Sequence, residues 1–102
     1  MSDQSVQKIS PQSEQRRLTQ TLHKEVCLAF GSVLKAARTR NGLSQQKLAD
    51  GAGADRSYLS MLERGLQQPT LTMLLRIAAA LRMPPEQLLN QTVELMPKRE
   101  RM

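Results

Sequence analysis

The sequence predicts an all-α fold of five helices, with a further helical extension on the N-terminal side. Three observations lead there. Apolar residues recur at three- and four-residue spacing, the period of a half-buried helix. Ser, Thr or Asp stands ahead of several such runs and Gly or Pro after them, which divides the chain into short helices. One Phe and one Tyr among 102 residues leave a core of Leu, Ala, Met, Val and Ile, which suits packed helices better than a β-sandwich.

Residues 1 to about 10 form a polar start, expected to be mobile. Ser10-Pro11 then reads as a helix start, with Ser10 at the N-cap, Pro11 at N1 and Glu14 in the first turn. Leu18, Leu22 and Val26 follow at i, i+4 spacing, and the pattern continues through Ala29 or Phe30 to Val33 and Ala37. One long helix from Pro11 to Arg40 fits, as do two helices broken near Gly31. A break or fraying between Lys24 and Gly31 is the expectation. The Leu18, Leu22, Val26 stripe has two uses open to it: packing on its own domain, or joining a second chain.

Asn41-Gly42 should close this first part, because glycine accepts the left-handed conformation that ends a helix. Ser44 is placed to cap a second helix, Gln45 to about Gly51, whose apolar side is Leu48, Ala49 and Ala52. Gly53 falls where a sharp turn needs positive φ. Asp55 is placed to cap a third helix, Arg56 to Arg64, ending at Gly65. Its Leu59 and Leu62 point one way, and Arg56, Ser57, Ser60, Met61 and Arg64 the other. Thr70 should cap a fourth helix in which Leu71, Leu74, Leu75, Ile77, Ala78 and Leu81 make it the core helix. Pro84-Pro85 ends it and starts a fifth helix holding Leu88 and Leu89. Thr92 to Leu95 could continue as helix or extend as a strand, and Lys98 to Arg101 read as a tail. The expected organisation is an N-terminal extension over 1–28, a compact domain over 29–90 and a C-terminal tail over 91–102.

The formal net charge of +6 favours an anionic partner such as nucleic acid. Cys27 is the single cysteine, so no intrachain disulfide can form and the cytoplasm is the expected compartment. It is expected to pack on a helix face rather than react. No apolar run approaches a membrane span, so no membrane partner is expected. Met1 to Ser5 lack the basic-then-apolar order of a signal peptide. His23 has no second His or Cys cluster beside it, so no metal site is expected. No catalytic residue, cofactor or phosphate-binding glycine loop stands out, and an enzyme is not expected. No separate ligand domain is visible, so no small-molecule ligand is expected.

The segment Leu43-Ser-Gln-Gln-Lys-Leu-Ala49, Gly53, Arg56-Ser-Tyr-Leu-Ser60, Leu62-Glu-Arg-Gly65, Pro69-Thr-Leu71, Ile77-Ala78, Leu81 and Leu88-Leu89 resembles the Cro/C1-type helix-turn-helix regulators, the phage-repressor-like or xenobiotic-response-element-like family. The resemblance spans about Phe30 to Asn90 and implies a lambda-repressor-like five-helix domain. It implies a sequence-specific transcription regulator that binds a pseudo-palindromic double-stranded DNA site as a homodimer, working at the nucleoid. The helix at about 56–64 would then lie in the major groove. Ser44 and Gln45 would meet the DNA backbone, and Arg56, Ser57, Tyr58, Ser60 and Met61 would face the groove. Arg56 is the candidate base reader, since a guanidinium can bond guanine bidentately. Arg38 and Glu63 resemble a family ion pair that holds the motif, with Gly53 turning it and Asp55 capping it.

Departures are Met61, where a polar reader often sits, Gly51 inside the second helix, and Pro84 in place of a Ser or Thr cap. Asp55 to Ser60 also resembles the controller proteins of restriction-modification systems. The alternative kept open is an antitoxin-like protein-interaction module with secondary DNA binding.

Overall fold

The structure is a computed structural model and describes residues 11–98. It contains five helices: α1 (Pro11–Arg40), α2 (Gln45–Ala52), α3 (Arg56–Glu63), α4 (Leu71–Leu81) and α5 (Pro85–Leu95). There is no strand among the described residues. The expected mobile start, the Ser10 cap and the Arg99 to Arg101 part of the tail lie outside the described residues.

The break expected near Gly31 is absent, and α1 runs unbroken for 30 residues. One interior glycine costs a helix only about 1 kcal/mol. Burial of Cys27, Ala29, Phe30, Val33, Leu34 and Ala37 on the same helix outweighs that. Gly31 is there for a different reason. A Cβ at this position would lie 2.5 Å from the Leu62 carbonyl oxygen and 2.8 Å from that of Glu63. It is the point where α1 crosses the end of α3.

Local signals set the next boundaries. Gly42 has φ +68°, and the Leu43 amide donates back to the Arg38 carbonyl at 3.1 Å. Ser44 Oγ accepts from the Lys47 amide at 3.0 Å, satisfying one free donor of the first turn of α2. Gly53 ends α2 at φ +71°. A Cβ on Gly51 would stand 3.2 Å from the Ala80 Cβ, so this glycine too lies where two helices meet closely.

Asp55 holds the N-cap position of α3 with extended backbone, but its side chain makes no capping hydrogen bond. The carboxylate is exposed and solvated without that bond. The turn is closed by the backbone instead, the Leu59 amide donating to the Asp55 carbonyl at 3.1 Å.

Thr70 Oγ1 accepts from the Met73 amide at 3.1 Å and so caps α4. The expectation that α4 is core throughout is corrected. Ile77, Ala78 and Leu81 are buried, whereas Leu71 and Leu75 are exposed. Its apolar residues cover more of the circumference than the domain can bury. Arg82 ends α4 in the left-handed region, φ +58°. Helix then resumes at Pro85 and continues past Asn90, so Thr92 to Leu95 are helical. Leu88 and Thr92 are buried while Leu89 is exposed. Neither expected boundary falls at a helix end: α1 crosses position 28, and α5 crosses position 90.

α1 packs against α3 and α5, and α2 against α3 and α4. Their shared core is aliphatic: Leu34, Leu48, Leu59, Leu62, Ile77 and Leu88 expose no side-chain surface, with Phe30 as its aromatic member. No helix among the described residues is long and apolar enough to cross a membrane.

Cys27 is buried on α1, and desolvation pushes its thiol above the usual range. Its sulfur lies 3.6 Å from His23 Nε2. A buried, protonated thiol is a poor nucleophile. Labelling with a thiol reagent at neutral pH is therefore expected to be far slower in the native protein than in urea. The two rates should converge across the unfolding transition, and equal rates in both states would contradict this burial.

Candidate nucleic-acid interface

α3 buries Leu59 and Leu62 completely and turns Arg56 and Ser57 to solvent; Arg64, just past its end, is also exposed, and Ser60 and Met61 are half-buried. Tyr58 is also half-buried and packs against the core. Desolvation pushes its phenol above the usual range, so it is a neutral hydroxyl at physiological pH. Met61 Sδ lies 3.6 Å from Gln67 Nε2, which ties the loop after α3 to this face.

Behind the face lies a polar chain. Arg38, on α1, donates from Nε to Glu63 Oε2 at 2.5 Å and from NH2 to Glu63 Oε1 at 3.0 Å. It also donates from NH1 to the Leu43 carbonyl at 2.7 Å. The Arg38 side chain is 14% exposed and that of Glu63 3%. The hydrogen bond that Arg38 donates to Glu63 is the main reason its guanidinium sits above its ordinary value, and desolvation opposes it. A bidentate pair in this setting is geometrically restrictive.

Glu63 Oε1 also accepts from Gln45 Nε2 at 3.0 Å. Gln45 Oε1 in turn accepts from Arg56 NH1 at 3.4 Å. The exposed guanidinium of Arg56 is thereby linked through Gln45 and Glu63 to α1. Ser44, exposed, is occupied as acceptor by its own helix cap, leaving its hydroxyl proton available.

The sequence-derived candidates thus fall into four places. Arg56 and Ser57 are on the open face with Ser44 at its side. Ser60, Met61 and Tyr58 stand at its margin, partly committed to packing. Arg38, Gln45 and Glu63 form the support beneath, and Gly53 and Asp55 stand in the turn. Two contributors have no clear mark in the sequence. Gly31 reads there as a helix breaker, and the coupling of Gln45 to Glu63 joins residues eighteen apart. Among the described residues no cluster of His, Cys, Asp and Glu could hold a metal ion.

A family model described as Helix-turn-helix matches residues 34–88, more than half of the chain. The chain belongs to this helix-turn-helix family. Over 72 residues it is 35% identical to the transcriptional regulator ClgR of Mycobacterium tuberculosis, covering 71% of this chain and 64% of the relative. It therefore spans less than two thirds of that relative's length. Among solved structures, the restriction-modification controller protein C.AhdI from Aeromonas hydrophila is 42% identical, with a TM-score of 0.60. That match covers 61% of this chain and 94% of the controller. The clp gene regulator ClgR from Corynebacterium glutamicum superposes with a TM-score of 0.68 at 26% identity, over 72% of this chain and 96% of the other. These matches place the all-α architecture among helix-turn-helix domains. In this helix-turn-helix protein the residues of α1 before Leu34 lie outside the family match.

Proposed function

We propose that this protein is a sequence-specific DNA-binding transcription regulator, acting in the cytoplasm as a homodimer on a pseudo-palindromic site. The observation that carries this reading is the exposed Arg56 at the start of α3, supported from beneath by Gln45, Glu63 and Arg38. A base-reading side chain gains specificity when its support limits its freedom. The net charge of +6 suits a polyanionic partner, and the relatives named above are a transcriptional regulator and a controller protein.

In this reading α3 enters the major groove, and two copies present their α3 helices about one helical turn apart. Arg56 bonds the edge of a guanine. The Ser44 hydroxyl and the second amide proton of Gln45 meet phosphates, fixing register without reading sequence. Ser57, Tyr58 and Ser60 reach phosphate or a thymine methyl, and Met61 offers apolar contact alone. The reading unit is the compact domain of about 29–90.

Selection from random duplexes, with the mass of the complex measured in parallel, tests this directly. The parent protein should enrich a two-fold site bound by two chains. Arg56→Ala should relax preference at one position in each half-site, costing roughly 1–3 kcal/mol. Identical preferences for parent and variant would remove Arg56 from the reading role.

A further inference from the structure

Ser57 and Met61 of α3 and Arg64, its C-cap, share the stripe opposite the buried Leu59 and Leu62, at i, i+4 and i+7 spacing. Ser57 and Arg64 are exposed and polar, whereas Met61 between them is apolar and half-buried. Of the half-buried apolar residues on α3, Tyr58 packs against the core and Met61 does not. The loop after α3 folds back against Met61 instead. Gly65 turns the chain at φ +76°, the Leu66 amide donates to the Met61 carbonyl at 3.0 Å, and Gln67 Nε2 reaches Met61 Sδ at 3.6 Å. That contact holds in place a side chain with three rotatable bonds of its own.

We propose that Met61 is a specificity-determining residue that reads the C5 methyl group of a pyrimidine in the major groove, with Gln67 as its positioning residue. The inference rests on the placement of α3 proposed above and names the group that this part of it recognises. The major groove presents hydrogen-bond donors and acceptors at every base pair and one apolar group, the thymine methyl. An apolar side chain set against the other edges strips water from them and supplies no hydrogen bond in its place. Set against the methyl, it removes apolar surface on both sides from water. 5-Methylcytosine carries the same methyl on the same ring carbon, so thymine and methylated cytosine offer Met61 one chemistry. A flexible thioether loses rotamer freedom when it makes such a contact. Gln67 restricts that freedom beforehand, which leaves less to lose on binding. Met61 follows Arg56 by five residues, about 7 Å along the helix axis, or about twice the step between base pairs. The methyl therefore belongs to a different base pair from the guanine assigned to Arg56, and the two contacts can be tested separately.

Equilibrium binding of the full chain to the duplex it enriches, with thymines replaced one at a time by uracil, tests the proposal, since that change removes the C5 methyl alone. The parent should lose about fourfold in affinity at one thymine of each half-site, the contribution of one buried methyl group. Met61→Ala and Met61→Gln should bind thymine and uracil alike at that position. Their thermal unfolding should stay close to the parent's, because Met61 does not pack against the core. Gln67→Ala should lose part of the same discrimination, and an unchanged thymine-to-uracil ratio would overturn its positioning role. All three variants should keep the guanine preference assigned to Arg56. Cytosine and 5-methylcytosine at that position distinguish the two sources of the methyl. Tighter binding of methylcytosine makes the site sensitive to cytosine methylation, and equal binding of the two assigns the contact to thymine. A half-site whose affinity changes with no pyrimidine methyl overturns the role of Met61 while the regulator reading stands. A methyl effect that persists in full in both Met61 variants does the same, by placing the contact on another residue. A parent that enriches no duplex removes both readings together.

Discussion

Glu63→Ala is expected to cost about 3–5 kcal/mol of folding stability, because it leaves a buried guanidinium without its counter-charge. The carboxylate receives two hydrogen bonds from Arg38 and one from Gln45, and its side chain is 3% exposed. After truncation Arg38 retains only the Leu43 carbonyl. Urea unfolding measures the loss. A cost below about 1 kcal/mol would equate the pair with a solvated surface ion pair and remove Glu63 from the support. The double variant Arg38→Met, Glu63→Leu separates stability from positioning. Replacing a buried ion pair by apolar residues of similar size is often nearly neutral, so most of the stability should return. Gln45 would still lack its acceptor. The base preference assigned to Arg56 should therefore weaken in a variant that folds, and full preference would show that Gln45 needs no anchor.

Gly31→Ala should destabilise the domain by about 3 kcal/mol, the upper end of the usual overpacking cost. The direction is opposite to intuition, since alanine in a helix interior normally gains about 1 kcal/mol over glycine. Here the new methyl would meet two backbone carbonyl oxygens, Leu62 O at 2.5 Å and Glu63 O at 2.8 Å. Neither can swing aside as a flexible side chain would. Relief requires α3 to move away from α1, carrying Glu63 with it and lengthening its bonds to Arg38. Thermal unfolding and DNA binding should therefore decline together. A variant at least as stable as the parent would show that the two helices can separate without loss. Gly51→Ala offers the contrast, since its new Cβ would meet only the Ala80 Cβ, at 3.2 Å.

Where the deciding interaction lay within a few residues, the sequence was readable. Ser44 and Thr70 cap their helices because each hydroxyl reaches an amide three residues on. Gly53 and Gly65 stand at positive φ, where a side chain would be strained. The apolar spacing of Leu59 and Leu62 placed them inward, and both are fully buried. Asp55 shows the limit of such local reading: the residue type and backbone suit a cap, but the hydrogen bond is not made.

What failed was whatever depended on a distant neighbour. Gly31 reads as a breaker because a one-dimensional pattern cannot show the carbonyl oxygens of α3 above it. Leu71 and Leu75 belong to an apolar helix, and hydropathy alone does not say which of its faces the domain covers. The pairing of Arg38 with Glu63 was available only through resemblance to the helix-turn-helix regulators, for nothing in the spacing of residues 25 apart implies contact.

The sequence by itself determined five helices, their turns and the outward face of α3, because periodicity, caps and positive-φ glycines act over a single turn. Tertiary structure decided that α1 runs unbroken across Gly31, that Gln45 and Glu63 support Arg56, and that Leu18 finds no cover in its own domain while Leu22 and Val26 are half-buried. Those outcomes depend on which surfaces meet, and helices far apart in sequence are brought together only when the whole core is buried.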